Sequence, residues 1–255
     1  MAMADEVTDD RLLGGRVRLR QPAAGFRASI DAVLLAAAVP AQDGEAVLDV
    51  GAGTGAAALC LASRVAGATV TGIESDRALV RLACDNAEAN GVGSRVRFYL
   101  GDVAAPPIRL SPASFDHVMA NPPFAPQGSG RTPRDPGRAQ AMVEGGVPLA
   151  GWLEFCLKMV KPGGTVTVIQ RADRLSEVLG GFSGRLGGLM VVPLWPGAGK
   201  PAKRVIIAGC KGSAAPLTLA PGLTLHRPDG GYTAEAEAIL RDAEPLELRP
   251  WRSAA

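Results

Sequence analysis

Cysteine and histidine are scarce in this chain. Four cysteines (Cys60, Cys84, Cys156 and Cys210) are scattered through 255 residues without a CxxC pair, and the only histidines are His117 and His226. Such spacing excludes a disulfide scaffold and reads as reduced thiols in apolar segments. It also leaves too few nitrogen and sulfur ligands for a zinc site, so no metal is expected. Aromatic residues are only 4% of the sequence, so the core must be built from Ala, Val and Leu. Long apolar runs are missing too. The longest, Ala32 to Ala41, contains Pro40 and falls short of the ~20 residues that span a bilayer. The acidic start, with Asp5, Glu6, Asp9 and Asp10, is not a signal peptide. These absences point to a cytoplasmic protein with no membrane partner.

The 27 basic and 25 acidic residues nearly cancel, giving a net charge of +2, so overall charge selects no polyanionic partner. The local distribution says more. Between Arg11 and Arg27 stand Arg11, Arg16, Arg18, Arg20 and Arg27 with no acid among them. A second basic cluster is Arg131, Arg134 and Arg138, and a third is Lys200, Lys203 and Arg204. Clusters of this kind neutralise phosphates, although each alone reads equally well as solvated surface.

From Ala46 onward, short apolar runs alternate with helical patterns. Strands are expected at 46–50, 68–74, 95–100, 115–120 and 165–170, with helices at 56–66, 76–90 and 149–160 between them. Continuous apolar strands separated by helices indicate a parallel sheet covered on both faces. The runs 189–194 and 204–208 have no obvious helix between them and suggest an antiparallel finish. The tail adds a strand-like 223–226 and a helix beginning near Thr233. Upstream, Ile30 to Val39 reads as a helix capped by Ser29. The first ten residues read as frayed, and Arg16–Leu19 as one arm of a hairpin whose partner lies near Phe26. The Pro-, Gly- and Arg-rich stretch 122–138 reads as a mobile loop. Residues 1–40 form an N-terminal arm and helix of the same domain as 41–255.

Three features stand at consecutive strand ends, where ligands bind in open α/β sheets. Asp49-Val50-Gly51-Ala52-Gly53-Thr54-Gly55 turns from the first strand of the repeat into a helix. Gly51, Gly53 and Gly55 let a ligand approach backbone N–H groups there. Glu74 ends the next strand, where a carboxylate can accept both hydroxyls of a ribose. Asp102 follows the third, placed to accept from an adenine amino group. Each has a plainer counterpart. The glycine turn also satisfies a dinucleotide fingerprint, Glu74 suits a helix N-terminus, and Asp102 suits a turn.

The most telling residues are Asn121-Pro122-Pro123-Phe124, directly after the strand at 115–120. Two prolines fix φ and remove two donors, leaving a stiff turn that presents an amide, free carbonyls and a ring. A planar NH2 group needs that set. The set offers acceptors for two hydrogens and, in Phe124, a face for the attached ring to stack on, although the tetrapeptide alone reads equally well as a structural turn.

Together the Asp49–Gly55 turn, Glu74, Asp102 and Asn121–Phe124 resemble S-adenosylmethionine-dependent methyltransferases that act on amino groups. With Gln21-Pro22, Gly25-Phe26-Arg27, Ser29-Ile30-Asp31, Leu34-Leu35, Pro201–Arg204 and Asp229–Thr233, nearly the whole chain is similar to the bacterial tRNA1(Val) adenine-37 N6-methyltransferase family. The resemblance implies a Rossmann-like class I methyltransferase, with a mostly parallel seven-stranded sheet, an antiparallel last strand and helices on both faces. It implies S-adenosyl-L-methionine as cofactor and tRNA as partner. Asn121, Pro122 and Phe124 are then catalytic, while Asp49, Gly51, Gly53, Gly55, Glu74 and Asp102 bind the donor. Arg27, Ser29 and Asp31 contact the donor or the RNA backbone, or Ser29 and Asp31 merely cap a helix. Arg131, Arg134 and Arg138 meet tRNA phosphates. The Asn-Pro-Pro motif itself also serves enzymes acting on guanine N2 in ribosomal RNA and on protein glutamine N5. A tRNA-binding module without catalysis is the non-enzymatic alternative.

Overall fold

The computed structural model describes residues 7–24, 27–107, 110–124 and 147–248. The chain opens with an antiparallel hairpin of β1 (Val7–Leu12) and β2 (Val17–Pro22). This corrects the expected fraying at residues 7–10 and the expected partner near Phe26; Phe26 and residues 1–6 lie outside the described ones. The partner of β2 precedes it because Gly14 and Gly15, at φ of 63° and 99°, close a tight reversal that other residues reach only with strain. In β2, Val17, Leu19 and Gln21 are buried while Arg18 and Arg20 point outward, the alternation of a half-buried strand.

The hairpin is held by two asparagines one helical turn apart on α3 (Arg77–Ala89) and at its C-cap. Asn86 accepts from the Arg20 N–H at 2.8 Å and donates to the Arg20 carbonyl at 2.9 Å. Asn90 repeats the pair on Arg18, at 2.9 and 2.7 Å. Each amide thus acts as a strand residue would, satisfying the outer edge of β2.

The main sheet contains β3 (Ala46–Val50), β4 (Thr69–Glu74), β5 (Val96–Leu100), β6 (Phe115–Ala120), β7 (Val160–Arg171), β8 (Leu186–Trp195) and β9 (Arg204–Lys211). Their order is β8-β9-β7-β6-β3-β4-β5, all parallel except β9, which runs against both neighbours. The two-residue strands β10 (Thr218–Leu219) and β11 (Leu223–Thr224) pair parallel with the outer side of β8 and bring the sheet to nine. Strand β7 starts five residues before the expected 165–170 and takes in Lys161–Gly164.

Side-chain alternation divides the core into two layers. Val47, Met119, Ile169 and Ile206 face α1 (Ile30–Ala38), α2 (Ala56–Arg64), α3, the hairpin and α6 (Ala234–Asp242). Leu48, Val118, Val168 and Ile207 face α4 (Leu149–Met159) and α5 (Leu175–Phe182). Helices therefore cover both faces, and each buried leucine or valine contributes roughly 1.5–3 kcal/mol. Helix α5 carries no strong sequence signal, because its eight residues include Gly180 and Gly181, poor helix formers. None of the helices among the described residues is long and apolar enough to cross a membrane.

Candidate active site

Strand β3 ends at Asp49-Val50, and the chain turns through Gly51–Gly55 into α2. The backbone N–H groups of Gly51 and Ala52 both donate to the Ile73 carbonyl on β4 at 2.9 Å, so the turn is stitched to the neighbouring strand. Its three glycines have positive φ for different reasons. A Cβ on Gly51 would come within 2.6 Å of the Trp152 ring, and one on Gly55 within 2.6 Å of Phe98. A Cβ on Gly53, at φ 56°, would meet nothing within 4 Å. Packing demands the outer two; the middle one borders open space.

That space is a cleft of about 570 Å³ open to solvent, at the carboxyl ends of β3 and β6. The glycine turn from Gly51 to Thr54 and Asp49 line it on one side, Ala28 and Ser29 before α1 on another, and Asn121 on a third. Donor-side and acceptor-side motifs, 72 residues apart in sequence at Asp49 and Asn121, thus share one cleft.

The two acids nearest the turn differ in character. Glu74 Oε2 accepts from the Gly53 N–H at 3.0 Å, while Oε1 accepts from the Asp76 N–H at 2.9 Å and the Ser75 hydroxyl at 3.2 Å. It braces the turn from behind and keeps acceptor capacity. Asp49 is 2% exposed, and its Oδ2 has no hydrogen-bond partner. Burial pushes its carboxyl up to about 7, a bond from the Ala58 N–H pulls it down, and the charge of Glu74 pushes it up again. Asp102, exposed beyond the end of β5, accepts from the Ala104 N–H at 2.8 Å in a tight turn and is not among the residues lining the cleft.

At the end of β6, the Asn121 side-chain oxygen is buried and has no hydrogen-bond partner. The carbonyls that follow are steadied from β7 and just beyond it. Gln170 Nε2 reaches the Pro122 and Pro123 oxygens at 3.4 and 3.3 Å, and Arg174 Nη1 reaches Pro123 at 3.4 Å. Arg174 is itself held by both carboxylate oxygens of Glu177. The expectation that Phe124 offers an open face to a base meets a ring only 7% exposed, with the Arg204 guanidinium 4.2 Å from its centroid. Gln170 and Arg174 are therefore parts of the site that sequence reading missed, and Arg204, read there only in a basic cluster and in the Pro201–Arg204 match, was not assigned to it. The one available signal was Gln170, a polar residue ending the apolar run of β7.

Ser29 caps α1, accepting from the Asp31 N–H at 3.2 Å, and lines the cleft. Asp31 is buried and accepts from Arg204 Nε at 3.1 Å. Arg27 is turned to the hairpin instead: its guanidinium bonds Asp10 at 2.6 Å and the Thr8 hydroxyl at 2.8 Å. Gln21 completes this knot by donating to Asp10 and accepting from the Ala28 N–H. Arg131, Arg134 and Arg138, and most of the expected loop at 122–138, lie outside the described residues.

A solved structure from Agrobacterium tumefaciens, described as a predicted O-methyltransferase, superposes with a TM-score of 0.71 at 25% identity. The match covers 86% of this chain and 99% of that one. A family model for the methyltransferase small domain matches residues 27–143, a span holding both halves of the cleft. The chain has the fold of the class I methyltransferases. Within that class it is similar to the tRNA1(Val) (adenine(37)-N6)-methyltransferase of Aeromonas hydrophila, 29% identical over 210 residues, 82% of this chain and 86% of the relative. A shorter likeness, 35% identical over 95 residues, links this methyltransferase to the release factor glutamine methyltransferase of Chlorobaculum tepidum, over 37% of this chain and 32% of that one.

Proposed function

We propose that this methyltransferase transfers the methyl group of S-adenosylmethionine to N6 of an adenine in tRNA, at adenine 37 of tRNA1(Val), and works in the cytoplasm. The observation that carries the reading is the buried, unpartnered Asn121 oxygen in the wall of the cleft bounded by the glycine turn. A buried acceptor without a partner costs about 1–3 kcal/mol, and an incoming N–H removes that penalty. The likeness to the A. hydrophila enzyme over most of both chains supplies the tRNA and the adenine.

The described residues suit that donor. Gly53 leaves room for close approach to the backbone, and Glu74 has lone pairs left for ribose hydroxyls. Asp49 lines the cleft as an acid, and its charged form gains from a cationic ligand. When bound, the donor supplies an activated methyl on a sulfonium, so the protein's tasks are orientation and stabilisation of charge.

An amine conjugated to a purine is a poor nucleophile. An N–H bond to Asn121 Oδ1 favours a more tetrahedral nitrogen and stabilises the positive charge that builds on it during attack. The Pro122 carbonyl, with one long bond from Gln170, has a lone pair for the second hydrogen. The base must leave its stack to reach this turn, at low cost in a loop of RNA.

A hydroxyl acceptor would call for a base to take its proton. His117, on β6, is bonded to Thr165 and Glu45 at 2.8 and 2.9 Å at the far end of the strand. The glutamine reading rests on the shorter likeness. Residues 1–40 serve as an arm of the same domain as 41–255, as the hairpin–α3 bonds favour. Mass spectrometry of nucleosides from tRNA incubated with the protein and labelled donor tests the whole reading. Labelled N6-methyladenosine is expected; N2-methylguanosine, or no labelled nucleoside, overturns it.

A further inference from the structure

Because β9 runs against its neighbours, its first residue emerges at the edge where the parallel strands end, beside the cleft. That residue is Arg204, opposite Arg171 on β7 and Leu194 on β8. Its guanidinium joins two pieces of the site that are remote in sequence. Nε donates to Asp31 in the first turn of α1, and Cζ lies over the ring of Phe124, three residues past Asn121. Asp31 and Phe124 are each 7% exposed. We propose that Arg204 is a positioning residue that clamps the α1 wall of the cleft to the Asn121–Phe124 turn, so that donor-side and acceptor-side walls are held in one register. The proposal rests on the methyl-transfer reading above and adds a residue that acts through Phe124, without touching either substrate.

Each half of the clamp follows from local chemistry. Asp31 sits in the first turn of α1, where a carboxylate is favoured, and its burial calls for a cationic partner. Phe124 is reached from Asn121 through two prolines, which cannot flex in φ. Fixing the ring therefore fixes the direction in which Asn121 points. On the other side of the turn, Gln170 and Arg174 reach the Pro122 and Pro123 carbonyl oxygens at 3.3–3.4 Å, the long end of the hydrogen-bond range. Arg204 supplies the firm contact. On the α1 side, Ser29 caps the helix two residues before Asp31 and lines the cleft, so tension on Asp31 reaches the wall directly.

A planar fork is needed for this double contact. Lysine keeps the charge but offers neither a flat face for Phe124 nor a donor fixed in the guanidinium plane. Arg204→Lys therefore separates positioning from charge. In the ligand-free full-length protein, hydrogen exchange followed by mass spectrometry should show faster exchange both at 30–36 and at 117–121 in this variant. Exchange in β4 and β5 should be unchanged. Acceleration in neither segment, or in only one, overturns the clamp.

In single-turnover methyl transfer to tRNA, the variant should lose at least tenfold in rate constant, with its half-saturating RNA concentration within threefold of wild type. Full rescue by lysine, or a loss confined to RNA affinity, makes Arg204 a simple charge and refutes positioning. If Arg204→Lys fails to fold, Asp31→Asn replaces it, since it releases the guanidinium while keeping side-chain shape, and the same outcomes apply. Should the wild type fail to methylate RNA, the functional reading falls while the exchange result still decides the clamp.

Discussion

Replacing Asn121 by alanine should separate stability from activity in opposite directions. The side-chain oxygen is buried without a partner in the ligand-free protein, a state that costs about 1–3 kcal/mol. Truncation to Cβ removes that penalty. What it forfeits is the packing of three small atoms in a residue that is only partly buried, on the order of 1 kcal/mol at this exposure. The balance lies between about 0 and 2 kcal/mol in favour of the variant. For a chain of this size each kcal/mol moves the melting temperature by about 2–4 °C. Calorimetric scanning of the ligand-free protein should thus show no fall and at most a rise of several degrees. In the same variant, single-turnover transfer to tRNA should drop by about 100- to 1,000-fold, the loss typical of removing one group aimed at developing charge. Donor affinity by titration calorimetry should hold within a few-fold. A melting temperature several degrees lower would mean that the oxygen has a structural partner in the resting protein. Wild-type turnover would refute the role of Asn121 outright.

Three other perturbations probe the donor side. Glu74→Gln keeps one oxygen for the Gly53 N–H but exchanges a charged acceptor for a neutral one, so donor affinity by calorimetry should fall about tenfold or more; unchanged affinity removes Glu74 from the site. Gly51→Ala drives a methyl group to 2.6 Å from Trp152 and should lower the melting temperature markedly, whereas Gly53→Ala pays only for its positive φ and should lose donor affinity more than stability; similar stability losses in the two variants would contradict the openness of the cleft at Gly53. For Asp49, the folded-state pKa of about 7 stands above the unfolded value of about 3.9, so its contribution is fully present below pH ~4 and is lost as pH rises through ~7, by a few kcal/mol at most. The melting temperature of the wild type should therefore fall relative to Asp49→Asn between about pH 4 and 7, and parallel curves would show that burial does not raise the carboxyl.

The repeating middle of the fold was legible because its signals are local and mutually consistent. Strands β3 and β6 have the bounds that their apolar runs predict, and α3 starts where Asp76 caps it, with Oδ1 accepting from the Ala78 N–H. Where sequence reading failed, the deciding contact was distant or sterically specific. The hairpin's true pairing depends on two glycines at positive φ and on Asn86 and Asn90, 66 to 72 residues further along the chain. Neither asparagine looks different from any polar residue on a helix. The site followed the same rule. Gly51, Gly53, Asp49 and Asn121 announced themselves by position at strand ends, and they do line one cleft. Arg204 stood out only as a basic residue and as part of the Pro201–Arg204 match, because only the antiparallel direction of β9 brings it to that edge.

The third basic cluster shows most clearly how a contact changes the meaning of a charge. In sequence, Lys200, Lys203 and Arg204 read as one phosphate-binding group. In the structure Arg204 is held by Asp31 and covers Phe124, so its charge is already balanced at 3.1 Å. Nearby arginines at the same edge are balanced likewise: Arg171 by Asp173, Arg174 by Glu177 and Arg227 by Asp229. Paired arginines attract a polyanion weakly at a distance, since the fields of the two partners cancel beyond a few ångströms. What such pairs do well is hold geometry, because a planar fork fixes direction as well as separation. Arg174 and Arg204, which reach the Pro123 carbonyl and the Phe124 ring, therefore belong to the scaffold of the Asn121 turn. Of that cluster, only Lys200 and Lys203 remain exposed and without an acid among the described residues.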